Sequence, residues 1–226
     1  MKYTEPQLSK SALITIDTQC DFVSPGAAAE VPGSMDIIPH MKSLLMAYRK
    51  CDLPIIHIVR LYMPDGSNAD LCRKGMVEEG KSIIALDSGG AELVAELKPN
   101  SKVQLDAELL LKGEIQNWGK KEFVIYKPRW GAFYKTPLNS HLENLGVNTL
   151  VLCGCNFPNC PRTTIYEASE RDYRIVIVED AVSGIYEKGK EELRHIGVRI
   201  WPTSSVLDSV PTEPDTGEGS GKAVHL

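Results

Sequence analysis

The sequence predicts an α/β protein with three αβα layers around a doubly wound, mostly parallel sheet of six strands, in a Rossmann-like arrangement. Its short apolar runs are rich in β-branched residues and are continuous rather than alternating, as expected for strands covered on both faces. Stretches with a helical rhythm separate these runs, and strands that alternate with helices form parallel sheets through right-handed crossovers. A chain of 226 residues is also long enough to bury such a core without disulfides or metals.

The six predicted strands are residues 12–16, 55–59, 123–126, 149–152, 175–178 and, more weakly, 198–201. Helices are predicted at residues 37–50, 136–145, 160–171 and 187–196. In the second of these, Thr136 is the expected N-cap, Pro137 the first helical residue and Gly146 the terminator. Residues 61–119 are long for one crossover, so we interpret them as an elaborated connection with helical patterns at 91–97 and 105–111.

The chain is predicted to form one domain over residues 1–207, followed by a tail at 208–226. The tail is rich in Pro, Gly, Ser and acidic residues. Such a composition buries too little apolar surface to order itself, so we expect the tail to be flexible.

Charge and hydropathy exclude several classes of protein. A net charge of −5 and a pI near 5.6 give no electrostatic footprint for nucleic acid or an anionic membrane. No apolar run approaches the roughly 18 residues of a membrane span, and the polar N-terminus does not resemble a signal peptide. We therefore expect a cytoplasmic protein. The segment TQCDFVSPGAAAE after the first strand lacks G-x-G-x-x-G, which disfavours a nucleotide- or flavin-binding module.

The cysteines are expected to be free thiols, most of them buried as small apolar side chains. They stand at positions 20, 51, 72, 153, 155 and 160. No C-x2-C or H-x3-H ligand pair occurs, so neither a zinc site nor another metal or cofactor is predicted.

Three reactive side chains lie at predicted strand ends. Asp17 ends ALITID, Lys127 ends FVIYK, and Cys160 follows TLVLCG by a short loop. In open α/β sheets, ligands bind outside the carboxyl ends of the strands. A carboxylate, an amine and a thiol are therefore expected to converge on one edge of the sheet.

Cys160 gives the strongest local signal because Pro161 is the expected first residue of a helix, which makes Cys160 its N-cap. Free amides and the helix dipole favour an anion there, and Lys127 would add to this effect. We therefore expect a thiol pKa below about 8.5. The alternative is a cysteine that only caps the helix, although Ser, Thr, Asp and Asn cap better.

Three sequence blocks resemble the isochorismatase-like cysteine hydrolase superfamily. They are LITIDTQCDF, KPRWGAFYKTPL and LVLCGCNFPNCPRTTIYEA, which keep the order of the family and belong to a similarity over most of residues 12–184. The resemblance implies the hydrolase fold of that superfamily. It also implies a catalytic triad of Asp17, Lys127 and Cys160.

The same resemblance implies a cis peptide bond between Cys155 and Asn156. That bond would aim the amides of Asn156 and Cys160 into an oxyanion hole. Residues beside the three blocks are expected to line the substrate pocket, although the aromatic ones have core packing as an alternative role; they are Phe22, Arg60, Trp130 and Phe133. An arginine at the second strand end suits a carboxylate or a carbonyl.

Departures from the subfamilies narrow the expected substrate. Nicotinamidases of this superfamily carry an Asp-x-His metal motif that IIHIVRLYMPDGSN lacks, so His57 is interpreted as a core histidine. Members that hydrolyse isochorismate lack the cysteine. What remains is the amidase branch, similar to N-carbamoylsarcosine amidase and ureide hydrolases, with a small amide or carbamoyl substrate and a thioester intermediate. An inactive binding or scaffold protein is the alternative, and the resemblance allows a homo-oligomer.

Overall fold

The computed structural model describes residues 2–213, and its centre is a seven-stranded sheet in the order β3-β4-β2-β1-β5-β6-β7. Neighbouring strands are parallel except β3 and β4, which are antiparallel. The strands are β1 Ser11–Ile16, β2 Ile55–Val59, β3 Gln116–Asn117, β4 Glu122–Tyr126, β5 Thr149–Gly154, β6 Arg174–Val182 and β7 Arg199–Trp201. The predicted fold class is confirmed. The additional strand, β3, is too short to produce an apolar pattern.

Helices connect the strands. They are α1 Cys20–Val23, α2 Ile38–Lys50, α3 Leu71–Glu78, α4 Ala107–Leu111, α5 Leu138–Asn144, α6 Cys160–Ser169, α7 Glu187–His195 and α8 Thr203–Ser209, with 3-10 turns at Lys2–Thr4, Leu8–Lys10 and Ala95–Leu97. The four predicted helices are present as α2, α5, α6 and α7. The N-cap of α5 is Pro137 rather than the predicted Thr136, whose hydroxyl instead donates to the Ala132 carbonyl oxygen at 2.5 Å.

The central strands are buried on both faces. Every residue of β1 and β5 is buried, which agrees with their continuous apolar sequences. Since β1→β2 and β5→β6 run in opposite directions across the sheet, right-handed crossovers place α2 and α6 on opposite faces. The apolar side of α2 packs on the sheet and α8 packs beside it.

The strand order reverses at β1, which lies between β2 and β5. Main-chain hydrogen bonds to β2 align the residues that follow β1 and β4 at the same edge of the sheet. The amide of Asp17 donates to the Ile58 oxygen at 3.0 Å, and that of Lys127 to the Val59 oxygen at 2.9 Å. This crevice at the carboxyl ends is where doubly wound proteins bind ligands.

The predicted domain boundary at residue 207 falls inside α8, and ordered chain continues past it. Val210 is buried, and the Cys51 thiol donates to the Pro211 oxygen at 2.5 Å. The remainder of the predicted tail, residues 214–226, lies outside the described residues, and its flexibility stays a prediction. None of the helices between residues 2 and 213 is long and apolar enough to cross a membrane.

Candidate active site

A buried ion pair joins two of the predicted strand-end residues. Lys127 is fully buried, and its Nζ donates to Asp17 Oδ2 at 2.8 Å. The other carboxylate oxygen, Oδ1, is buried and has no hydrogen-bond partner among the residues described. Asp17 also has a φ of 52°, a left-handed conformation that costs a non-glycine residue about 1 kcal/mol or more. The fold therefore holds this carboxylate in a fixed orientation with one oxygen free.

Cys160 lies at the start of α6, against the Asp17 carboxylate. The N-cap of the helix is Asn159 rather than the predicted Cys160. The helix therefore begins one residue earlier than predicted, with Cys160 as its first residue and Pro161 as its second. Burial and, after it, the negative charge of Asp17 raise the pKa of the thiol, whereas Lys127 and Arg60 lower it, and the net pKa is about 12. The predicted low pKa is therefore wrong, because burial outweighs the nearby positive charges. The resting group is a neutral thiol beside a carboxylate.

The loop between β5 and α6 corrects a second prediction. The peptide bond between Cys155 and Asn156 is trans, since residues 2–213 contain no cis peptide. With this trans bond, backbone groups of the loop are hydrogen-bonded. The Cys155 amide donates to the Ile16 oxygen at 2.9 Å, and the Asn159 amide donates to the Asn156 oxygen at 3.1 Å in a turn. The amides of Asn156 and Cys160 have no acceptor within the described part of the chain, so both remain free to donate.

The reactive groups face a cavity of about 80 Å³. Asp17, Cys160 and Asn156 line it, while Lys127 lies behind Asp17. Three of the four predicted pocket residues also line this cavity, namely Phe22, Arg60 and Trp130. The structure thus brings together the residues of all three sequence blocks.

Phe133, the fourth predicted pocket residue, does not line the cavity. Its side chain is buried in the main core, with its ring 5.9 Å from that of Tyr173 and the Arg171 guanidinium 4.9 Å from its centre. The Phe133 amide donates to Glu167 Oε2 on α6 at 2.9 Å, which ties this backbone to the helix. This prediction was wrong, and the alternative of core packing is the observed one.

The loop that follows Lys127 is tied to α6 by polar contacts. The Ala132 amide donates to Thr164 Oγ1 at 3.1 Å, and that hydroxyl donates to the Cys160 oxygen at 2.8 Å. A Cβ atom on Gly131 would lie 2.2 Å from the Glu167 carboxylate, so a larger residue here would displace the end of that side chain. The loop with Trp130 is therefore fixed relative to Cys160.

Arg60 is buried on the opposite side of the cavity. Its two terminal nitrogens donate to Asp70 Oδ2, each at 2.5 Å, and the Tyr62 hydroxyl donates to the same oxygen at 2.8 Å. Burial opposes the charge of Arg60, but Asp17, Tyr62 and other acidic groups hold its pKa above the ordinary value. Sequence reasoning missed Tyr62, Asp70 and Arg73, which line the cavity from the 61–119 connection. The only indication in the sequence was that this connection contains charged residues, such as Asp70 and Arg73.

His57 is a core residue, as interpreted from the sequence. It is fully buried, accepts at Nδ1 from Thr15 at 2.8 Å, and donates from Nε2 to Glu122 Oε1 at 2.9 Å. Burial lowers its pKa, so it is neutral, and the neutral ring with an ionised Glu122 assigns the proton to Nε2. Residues 2–213 contain no cluster of three or more His, Cys, Asp or Glu that could hold a metal ion.

Comparisons with known proteins identify the family of the chain. Residues 11–199 match the Isochorismatase domain. The chain belongs to the isochorismatase family. A crystal structure of an isochorismatase family protein from Desulfovibrio vulgaris is 34% identical with a TM-score of 0.75, covering 88% of this chain and 97% of that one.

The curated relatives of this isochorismatase family member include an amidohydrolase and a protein named as inactive. A probable inactive nicotinamidase of Arabidopsis thaliana is 29% identical and covers 84% of this chain and 90% of its own length. The ureidoacrylate amidohydrolase RutB of Methylobacterium radiotolerans is 27% identical over 80% of this chain and 69% of its own. These relatives include a named amidohydrolase and a protein named as inactive, so they leave the activity of this chain to be argued from its site.

Proposed function

We propose that this chain is a cysteine-dependent hydrolase that cleaves the C–N bond of a small linear amide or N-carbamoyl compound. One observation carries the proposal: the Cys160 thiol faces a carboxylate, Asp17, that a buried lysine holds at 2.8 Å. A thiol beside a fixed base, with free amide donors next to it, is the arrangement of groups that acyl transfer requires. The amidohydrolase among the relatives supports the choice of an amide.

In the first half of the reaction, Asp17 takes the proton from Cys160 as Sγ attacks the carbonyl carbon. The C–S bond forms, and the negative charge on the carbonyl oxygen is stabilised by the amides of Asn156 and Cys160. Collapse of the tetrahedral intermediate breaks the C–N bond. Asp17 gives its proton to the departing nitrogen, which leaves as ammonia or an amine, and a thioester remains.

In the second half, a water molecule replaces the amine. Asp17 takes a proton from that water as its oxygen attacks the thioester carbon, and the C–S bond breaks. The proton then returns from Asp17 to the Cys160 sulfur, and the product leaves as a carboxylic acid from an amide or as a carbamic acid from an N-carbamoyl compound. One water is consumed, and no electron acceptor or donor is needed. Lys127 keeps a positive charge beside the anionic groups throughout.

The high thiol pKa has a consequence for this mechanism. With a pKa of about 12, Cys160 is almost entirely protonated near neutral pH. The nucleophile therefore forms only when Asp17 accepts the proton during attack. The free Oδ1 atom of Asp17 suits this role because it has no other hydrogen bond to lose.

A catalytically inactive protein that binds a small molecule or serves as a scaffold is the second candidate. The name of the Arabidopsis relative favours it. Such a protein would keep the cavity and the buried ion pair but would turn over no amide.

Ammonia release across a panel of amides, ureides and carbamoyl acids tests the proposal. We expect wild type to hydrolyse at least one compound and Cys160→Ala to lose at least about 1,000-fold of that rate. Cys51→Ala is the matched control, because its thiol is buried away from the cavity and bonds only to Pro211. Ammonia release by wild type no greater than by Cys160→Ala would favour the second candidate.

Metal independence is a separate prediction of this mechanism, because none of its steps uses a metal. We expect activity to survive exhaustive chelation, measured with the same ammonia assay. Loss of activity on chelation and its return with added zinc would show that the sequence interpretation of the His57 region is wrong.

A further inference from the structure

Three small polar side chains meet in the interior of the protein beside the cavity. They are Ser34 from the loop before α2, Cys155 after β5 and Ser183 after β6, and none of them is more than 3% exposed. The Cys155 thiol donates to Ser34 Oγ at 3.2 Å, and the Ser34 hydroxyl donates to Ser183 Oγ at 3.5 Å. A chain of hydrogen bonds therefore joins three segments that are distant in the sequence.

The two buried serines of this chain need an explanation. Burying a hydroxyl costs free energy that an alanine would not cost, and a hydrogen bond largely offsets that cost without adding much stability. What a satisfied polar network adds to a core is a single fixed geometry. Cys155 lines the cavity together with Asp17, Asn156 and Cys160, so the geometry that the network fixes is that of the candidate site.

Cys155 lacks the activating partner that Cys160 has. Burial raises the pKa of the Cys155 thiol to about 11, although its hydrogen bonds with Ser34 and Ser183 oppose the rise. The thiol is therefore protonated near neutral pH, and it donates to a serine hydroxyl, which is a much weaker base than a carboxylate. The contact with Ser34 therefore supports the loop rather than preparing a second nucleophile.

The residue after Cys155 carries one of the two free amides of the proposed oxyanion hole. Both neighbours of Asn156 are held through the main chain: the Cys155 amide donates to the Ile16 oxygen at 2.9 Å, and the Phe157 amide donates to the Ser183 oxygen at 2.8 Å. The hydrogen bond of the Cys155 side chain is a third attachment. Together these contacts restrict rotation of the peptide that joins Cys155 to Asn156, and this peptide contains the free N–H.

We propose that Ser34 is a positioning residue for the hydrolase reaction: its hydrogen bond with Cys155 holds the Asn156 amide where negative charge develops on the carbonyl oxygen. The proposal rests on the hydrolase function proposed above and adds a residue to it. Ser34 itself does not line the cavity and acts through Cys155. Loss of one oxyanion donor costs about 100- to 1,000-fold in kcat, so a donor that is displaced rather than removed should cost less.

Ser34→Ala tests the proposal by separating kcat from KM. The Asn156 amide acts mainly on the transition state, so kcat for ammonia release should fall by about 10-fold or more while KM changes by less than about 2-fold. Ser11→Ala is the matched control, because Ser11 is fully buried in the main core and bonds with the Leu8 oxygen at 2.7 Å and the Tyr48 hydroxyl at 2.8 Å. This control should lose stability to a similar extent and keep its kcat.

Variants of Cys155 show whether Ser34 acts through this thiol. Cys155→Ser keeps a donor for Ser34 and should retain more of the kcat than Cys155→Ala. In the double variant Ser34→Ala/Cys155→Ala, kcat should lie within about 2-fold of the slower single variant, because both changes break the same hydrogen bond. If Ser34→Ala does not fold, the two Cys155 variants decide the proposal, and equal kcat values for them would overturn it.

Two further results would overturn the proposal: a kcat of Ser34→Ala within about 2-fold of that of Ser11→Ala, or losses that multiply in the double variant. If wild type releases no ammonia from any compound, the proposed function fails, and amide hydrogen exchange decides whether Ser34 holds the loop. The Cys155 and Phe157 amides should then exchange at least about 10-fold faster in Ser34→Ala than in wild type or Ser11→Ala. Unchanged exchange would contradict the role of Ser34.

Discussion

The carboxylate of Asp17 has two opposite effects on Cys160. Its negative charge raises the pKa of the thiol, second only to burial, which disfavours the thiolate. As the nearest base, it also removes the thiol proton during attack in the proposed mechanism. The two effects are separable by a substitution that keeps the shape and removes the charge.

Asp17→Asn should therefore lower the pKa of Cys160 by about 1 unit or more and yet reduce turnover by roughly 100-fold or more. The pKa is measured by iodoacetamide labelling of Cys160 against pH with peptide mapping. A Cys72→Ser background removes the exposed cysteine that would otherwise react first. A variant with a lower thiol pKa and undiminished turnover would show that Asp17 is not the base.

At the scale of single residues, the sequence located the reactive groups but not their environment. Asp17, Lys127 and Cys160 could be placed because each follows an apolar strand, and the ends of parallel strands meet at one edge. The pKa of Cys160 could not be predicted, because it depends on how many side chains bury the thiol. The position of Phe133 depends on tertiary packing against Tyr173 and Arg171, which no local pattern encodes.

The close contact between β1 and β5 fixes the position of Asp17. Gly154 ends β5 with a φ of 120°, and a Cβ atom on it would lie 2.2 Å from the Ile16 oxygen. Ile16 directly precedes Asp17, so a larger residue at position 154 would push the Asp17 carboxylate out of place.

Gly154→Ala should lower the free energy of unfolding by about 3 kcal/mol, from backbone strain and overpacking together. Gly146→Ala is the matched control, because Gly146 also has a positive φ, 67°, but no atom lies within 4 Å of an added Cβ. It should cost only about 1–2 kcal/mol. Urea unfolding measures the free energy of unfolding of both variants. An equal decrease in the two would show that the close contact between β1 and β5 at Gly154 adds no further cost.

At the scale of elements, continuous apolar runs and helical periodicity predicted β1, β2, β4–β7, α2 and α5–α7. The shorter elements of the 61–119 connection, such as α3 and β3, could not be predicted in the same way. α3 has no buried residue, so no apolar rhythm marks it. This is why Arg73, which α3 carries to the cavity, was missed.

A buried polar network crosses the sheet and contributes to the stability of the whole molecule. Glu122 accepts from His57 at 2.9 Å and from Arg49 at 2.7 Å. Burial alone would raise the pKa of Glu122, but the hydrogen bonds from Arg49 and His57 prevail and lower it to about 2. Because the folded pKa lies below the unfolded value, the contribution to stability is present above about pH 4.5 and is lost as the pH falls towards 2.

Glu122→Gln should lower the free energy of unfolding by about 3 kcal/mol near neutral pH, as expected for breaking a buried ion pair. The difference from wild type should shrink as the pH is lowered from about 5 towards 2. Glu108→Gln is the control, because Glu108 is exposed and pairs only with Lys112 on the surface. Denaturant unfolding at several pH values measures this, and a pH-independent difference would contradict the assigned pKa.

The central claim is that residues from three distant strand ends act as one catalytic unit, and Lys127→Met tests it most directly. Removing the positive charge should raise the pKa of Cys160 further and leave Asp17 without its partner. Residues that act as a unit lose activity together, so the folded variant should be nearly as inactive as Cys160→Ala in the ammonia assay. Circular dichroism and thermal melting establish that it is folded. A folded Lys127→Met protein with turnover near wild type would contradict the account.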